Sequence, residues 1–137
     1  MIKFHEIKVG DLVLTNLEGR LHEGEVTGLN LEDKEVCVRT EVQEFWFTAN
    51  QLQAIPLTDS QLIRFKFEKQ ENADGSVKYL RGPFRMLLPR QDSFSHFDMW
   101  YREDRRHINH HVAVHELQNH YRQMTKVELT RDRNPPI

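Results

Sequence analysis

Histidine is the residue type whose spacing in this sequence comes nearest to a metal-binding pattern. His107, His111 and His115 follow one another at intervals of four residues, which on one helix would align three imidazoles on a single face. Three histidines with an open fourth position form a catalytic zinc site. A His-based zinc hydrolase is therefore one alternative for the function.

Two features of the same segment argue against that site. We predict that the C-terminal helix begins near Val112, which leaves His107 and His111 in a strand or loop. His115-Glu116 resembles the start of a metalloprotease His-Glu-x-x-His helix, but Asn119 stands where the second histidine is needed. We therefore expect no metal and no cofactor.

The sequence also lacks a convincing nucleophile or phosphate-binding loop. Cys37, the single cysteine, lies between Val36 and Val38 in a predicted strand, where a thiol usually behaves as a small buried apolar group. No Gly-x-Ser-x-Gly elbow, phosphate-binding glycine loop or dinucleotide-binding fingerprint occurs. We expect no catalytic residue and a non-enzymatic function. A single cysteine also fits a reducing compartment, so we expect a cytoplasmic protein.

Two tryptophans and a basic segment are the remaining candidates for a functional surface. In strands, Trp46 points away from the face shared by Phe45 and Phe47, and Trp100 points away from Phe97. Exposed tryptophan beside arginine is typical of protein interfaces and of surfaces that stack bases. The candidate interaction residues are Trp46, Trp100, Arg102, Arg105, Arg106 and His107. The alternative is that both tryptophans are buried and join the two halves of the chain.

The charge distribution favours a protein partner. The formal net charge is −2, and the first fifty residues hold ten Asp or Glu against five Lys or Arg. Such an acidic segment is a poor match for phosphates, whose binding depends on Lys and Arg. We expect the partner to be another protein or a second copy of the chain. The alternative is a nucleic-acid-associated module that uses the basic segment of Arg102, Arg105, Arg106 and His107.

A membrane partner is not expected. No apolar run approaches the roughly 20 residues needed to span a bilayer, since the best runs are Phe45-Trp46-Phe47 and Met86-Leu87-Leu88.

Short strands are predicted over the first 56 residues. Runs of β-branched and aromatic residues alternate with turns at Asn16–Gly19 and Asn30–Lys34. Five short strands with tight turns suit a small bent barrel, because closure removes the exposed edges of a sheet. The opening Val9–Val13 resembles the first strand of Src-homology-3-type barrels. We predict an α+β protein in which residues 1–56 form this small β-barrel.

The pattern changes to mixed helix and strand at residue 57. Thr58 and Gln61 have the spacing of a capping box, and Leu57 and Leu62 that of the accompanying hydrophobic staple. Strands are predicted to follow over four short segments, at 77–80, 84–88, 97–101 and 107–110. We predict that residues 57–129 form an antiparallel sheet with two helices, and that residues 130–137 form a flexible tail.

The second helix is predicted over Val112–Met124. Its apolar residues recur at helical spacing and form one stripe that faces a core, and these residues are Val114, Leu117, Tyr121 and Met124. Gln118 and the other polar residues are expected to cover the remaining sides.

Two segments resemble a known family. Ile55–Lys69 resembles an "IPLTxxxLxxFGFEK" segment, and Val114–Tyr121 resembles a "VHELQNLY" segment. Both of these quoted segments occur in a family of small uncharacterised bacterial and prophage-type proteins. The resemblance, judged by the order and spacing of the matching residues, extends over about two-thirds of the chain. The resemblance implies a strand-rich N-terminal part but no activity, ligand or partner. Lys66 and Lys126 stand where the family often places glycine after a helix.

Overall fold

The computed structural model of the chain describes residues 2–131, so most of the predicted tail at 130–137 lies outside the described residues. The described part contains two antiparallel sheets and two α-helices. The predicted α+β class is therefore confirmed. No helix in this part is long and apolar enough to cross a membrane.

The first sheet has five antiparallel strands in the order β4-β3-β2-β1-β5. They are β1 (Leu12–Leu17), β2 (Arg20–Asn30), β3 (Glu35–Thr40), β4 (Glu44–Thr48) and β5 (Leu52–Gln53), and a 3₁₀ helix at Ala49–Gln51 precedes β5. The pairing of β2 with β3 shifts register between Val26 and Gly28, as a β-bulge does. β4 and β5 remain at the edges, so the described strands do not close a barrel.

The second sheet is a meander in the order β10-β9-β8-β7-β6. Its strands are β6 (Glu68–Glu71), β7 (Val77–Arg81), β8 (Phe84–Leu88), β9 (Phe97–Tyr101) and β10 (Asp104–Ile108). Tyr79, Met86 and Met99 lie side by side in register on the buried face. β10 begins three residues before the predicted strand at 107, because its charged sequence carries little strand preference and its position is set by pairing with β9.

The contacts divide the described residues into two compact units. The residues up to Pro56 group with Ala113–Asn119, and Leu57–Val112 groups with the residues from His120 onward. The core of the first unit includes Val26, Val36 and Val38 together with Phe47. The predicted boundaries at 56 and 129 stay predictions.

Helix α1 (Asp59–Arg64) begins largely as the sequence predicts. The Gln61 N–H donates to Thr58 Oγ1 at 3.3 Å, and the staple residues Leu57 and Leu62 are both buried. The reciprocal bond of the predicted capping box, from the Thr58 N–H to the Gln61 side chain, is absent. Gln61 Oε1 instead accepts from Arg131 at 2.8 Å.

Lysine takes the place of glycine at the end of α1. The Lys66 N–H donates to Ile63 O, and the Phe67 N–H donates to Leu62 O, which is the pair of bonds in a Schellman motif. Lys66 adopts a φ of 67°, and Lys126 adopts 65° after the second helix. Both helices thus end in the left-handed conformation although neither has glycine there.

Helix α2 (Val114–Thr125) buries the predicted stripe of Val114, Leu117, Tyr121 and Met124. The prediction for Gln118 was wrong, since this side chain is also buried. Its Oε1 accepts from the Leu12 N–H at 2.8 Å, and its Nε2 donates to Gly10 O at 2.9 Å. The amide satisfies two backbone groups at the start of β1, a role that helical spacing alone does not reveal.

Candidate functional site

The edge strand β4 carries the largest exposed aromatic side chains of the described residues. Phe45 is 52% exposed and Trp46 is 45% exposed, whereas Phe47 is buried. Phe45 and Phe47 lie on the same face with their ring centroids 5.6 Å apart. The sequence predicted this shared face, but the two rings differ in burial because Phe45 lies beyond the end of the core.

The other edge strands in the described residues are protected in ways that β4 is not. β5 has only two residues, while β6 and β10 consist mainly of charged or amide side chains. Short strands and charged side chains are the usual means by which proteins prevent an edge from pairing with another chain. β4 contains neither lysine nor proline, and Glu44 is its single charged residue. An unprotected edge with exposed aromatic residues is typical of a binding surface.

The hydrogen-bond pattern identifies the backbone groups that β4 presents at this edge. The Thr40 N–H donates to Gln43 O at 2.8 Å across the β3–β4 turn. Because bonded and non-bonded pairs alternate in an antiparallel ladder, Phe45 and Phe47 bond to β3. The N–H and C=O groups of Glu44 and Trp46 therefore point away from the sheet.

Thr48 marks the end of this edge. Its N–H would also point outward, but it donates to Gln51 Oε1 at 2.9 Å. The 3₁₀ helix that follows β4 thus caps the last donor of the strand. Four backbone groups, two donors and two acceptors on Glu44 and Trp46, remain at the edge.

Trp46 lies on the outer face of the first sheet. It is opposite Cys37 in register, and Cys37 is opposite Gly28. A β-carbon at Gly28 would meet Trp46 Cη2 at 3.7 Å, so the indole reaches across Cys37 toward β2. Cys37 is half-buried beneath it, rather than fully buried as expected, because it points to the outer face.

A cleft of about 440 Å³ opens on the inner face of the first sheet, where β1, β2 and the β3–β4 turn meet. Leu17, Val42 and Phe47 supply its apolar lining. Polar side chains complete the lining, and these are Thr15, Glu18, Arg20, His22, Thr40 and Gln43. Val42 and Gln43, in the turn that leads into β4, are exposed and line the cleft, so the exposed edge and the cleft are adjacent, and we call them together the β4 surface.

Carboxylates dominate the charge around β4. Glu41 and Glu44 are exposed in its turn and at its start, and residues 41–50 contain no Lys or Arg. Arg39, opposite Glu44 in register, lies 3.9 Å from Glu25 in an ion pair. Strand β4 is therefore an apolar strip with carboxylates in its turn and at its start, while the adjoining cleft also contains Arg20.

The second sheet brings three of the other predicted interaction residues together. Arg105 and Trp100 are opposite each other on β10 and β9, with the guanidinium carbon 4.9 Å from the indole centroid. His107 is opposite Asp98, and His107 Nδ1 lies 2.6 Å from Asp98 Oδ1. The hydrogen bond from His107, followed by that from Arg105, lowers the pKa of the Asp98 carboxyl.

Arg106 and Arg102 do not belong to this cluster. Arg106 faces the opposite side of the sheet from Arg105, and its Nη1 lies 2.8 Å from His120 Nδ1 and 2.9 Å from Gln123 Oε1. Arg102 lies in the β9–β10 turn, 5.1 Å from the Tyr101 ring centroid. The predicted basic segment is thus divided among two faces and a turn.

The three histidines at intervals of four residues occupy three different settings. His107 is in β10, His111 is in the following loop and His115 is in the first turn of α2. This arrangement agrees with the predicted break in helical geometry. Within residues 2–131, no three His, Cys, Asp or Glu side chains are grouped so that they could hold a metal ion.

Sequence reasoning missed Val42, Phe45 and the cleft as parts of a surface. A usable signal was present, because Glu41–Thr48 combines three aromatic residues with no lysine or proline. The sequence does not show that this strand lies at the edge of its sheet.

Comparison with protein-family models, curated proteins and solved structures finds no match for this chain.

Proposed function

We propose that this chain is a non-enzymatic protein-interaction module and that the β4 surface is its binding site. The observation that carries the proposal is the combination of outward backbone groups on β4 with exposed Phe45 and Trp46. A cytoplasmic location and a bacterial or prophage source remain part of the proposal. The single cysteine supports the first, and the resemblance of the two sequence segments supports the second.

We also propose that the first sheet is a variant of the Src-homology-3-type barrel. Its strand order follows the chain from β1 to β4 and returns β5 to the side of β1. The bulge in β2 supports this proposal, because such irregularities bend a sheet toward closure.

A selection of peptides from a random displayed library tests the proposed function. We expect the wild-type protein to enrich a consensus that the Phe45→Ser, Trp46→Ser double variant does not enrich. The control is Leu31→Ser, which removes a 75% exposed apolar side chain in the β2–β3 turn and should enrich the wild-type consensus. Failure of the wild type to enrich peptides, or equal enrichment by the double variant, would contradict the proposal.

Trp100 and Arg105 favour a second candidate, nucleic-acid binding, because an indole beside a guanidinium can stack bases. It is the weaker candidate, since Arg105 also forms an ion pair with Asp98 at 3.3 Å. Binding of single-stranded DNA that weakens steeply with salt and is lost in Trp100→Ala would support it.

A further inference from the structure

We infer that the partner at the β4 surface is an extended basic segment of another protein, which adds an antiparallel sixth strand to the first sheet. This inference rests on the proposed function and specifies the partner's chemistry. An added strand is the natural occupant because Glu44 and Trp46 offer alternating donors and acceptors at the spacing that an extended backbone matches.

The two faces of β4 require different side chains from that strand. Partner residues opposite Glu44 and Trp46 lie on the outer face, where a Lys or Arg meets a carboxylate and an exposed indole. Partner residues opposite Phe45 and Phe47 lie on the inner face, where an apolar side chain meets the exposed Phe45 ring. The surface therefore fits a segment in which basic and apolar residues alternate.

Charge favours this partner over a second copy of the chain. The first fifty residues hold twice as many acidic as basic side chains, so two copies of this part of the chain carry the same net negative charge and repel each other. A basic segment instead gains attraction from Glu41 and Glu44, and juxtaposed like charges oppose the wrong partner.

Two synthetic ten-residue peptides provide the probe, one alternating lysine with valine and the other alternating glutamate with valine. By fluorescence anisotropy with the full chain, we expect the lysine peptide to bind roughly tenfold tighter or more. Glu41→Gln, Glu44→Gln should reduce its affinity several-fold, and Glu32→Gln, Asp33→Asn, in the exposed β2–β3 turn, should have a smaller effect. Equal affinity for both peptides would overturn the inference.

Backbone methylation of the lysine peptide tests strand addition directly. In an antiparallel pair the lysine N–H groups face Glu44 and Trp46, so methylating them should abolish binding, whereas methylating the valine N–H groups should not. Binding that survives lysine methylation would overturn the inference. The inference would also be overturned if the wild type formed a dimer in sedimentation and the Phe45→Ser, Trp46→Ser variant did not.

The two proposals fail in different ways. If the library yields no β4-dependent consensus, the proposed function fails. If it yields a β4-dependent consensus of acidic or non-alternating peptides, the interaction module stands and only the basic strand is excluded.

Discussion

His115 is a buried imidazole at the start of α2, and neither of its ring nitrogens has a hydrogen-bond partner among the described residues. Burial lowers its pKa, and this effect outweighs the opposing influence of the Glu116 and Glu6 carboxylates. Burial therefore favours the neutral form of this ring in the folded protein. Below the ordinary pKa of about 6.5, the unfolded chain gains a proton that the folded chain resists.

His115→Phe should remove this dependence on pH. As the pH falls below about 6.5, the wild type should lose up to about 1.4 kcal/mol of unfolding free energy per pH unit relative to the variant. Urea unfolding at pH 7.5 and pH 5.5 measures the difference. His111→Phe, at an exposed loop position, is the control and should follow the wild type. Parallel pH profiles for His115→Phe and wild type would show that His115 titrates normally.

At the scale of elements, α2 contacts the start of β1 through side-chain hydrogen bonds. Gln118 pairs with Leu12 N–H and Gly10 O in the way that a neighbouring strand would. Asn119 Nδ2 also reaches Glu6 O at 3.5 Å. Buried backbone groups of this kind are costly when their partner is removed.

Gln118→Leu keeps the volume of the side chain but leaves two backbone groups without their partner. We expect a loss of about 1–3 kcal/mol in unfolding free energy from the buried Leu12 N–H and a smaller loss from the half-buried Gly10 C=O. Gln123→Leu, on an exposed position of the same helix, should change stability far less. Denaturant unfolding compares the variants, and equal midpoints would show that water replaces the amide without loss.

At the scale of the whole molecule, α2 contributes to both compact units. Its residues up to Asn119 group with the first sheet, where the Val114 N–H donates to Ile55 O at 2.8 Å. Its residues from His120 group with the second sheet, where the Tyr121 and Phe84 ring centroids lie 4.9 Å apart. A single helix thus contributes residues to both units.

Asn119→Pro should destabilise both units. Proline at this position removes a helical N–H and clashes with the carbonyl of His115, at a cost of about 3 kcal/mol or more. Hydrogen exchange should accelerate in β3 and in β8 alike, whereas Asn119→Ala should leave both largely protected. Acceleration in only one sheet would mean that the other does not depend on a continuous α2.

Local pattern determined what neighbouring residues have in common. Helix and strand periodicities place residues on faces. The sequence therefore predicted the cap at Thr58, the stripe of α2 and the change from strand to helix at residue 57. The same alternation separated Trp46 from Phe47 and predicted which aromatic side chains share a side. The α+β class followed from these elements.

Only the tertiary structure decided which faces are covered. Phe45 and Phe47 share a face, yet one is exposed and one is buried because the core ends between them. Gln118 and His115 are polar residues outside the stripe that helical spacing predicts, yet long-range packing buries both. Whether β4 is central or at an edge depends on pairing between strands distant in the chain. Local periodicity does not encode that pairing, so the β4 surface can be identified only from the tertiary structure.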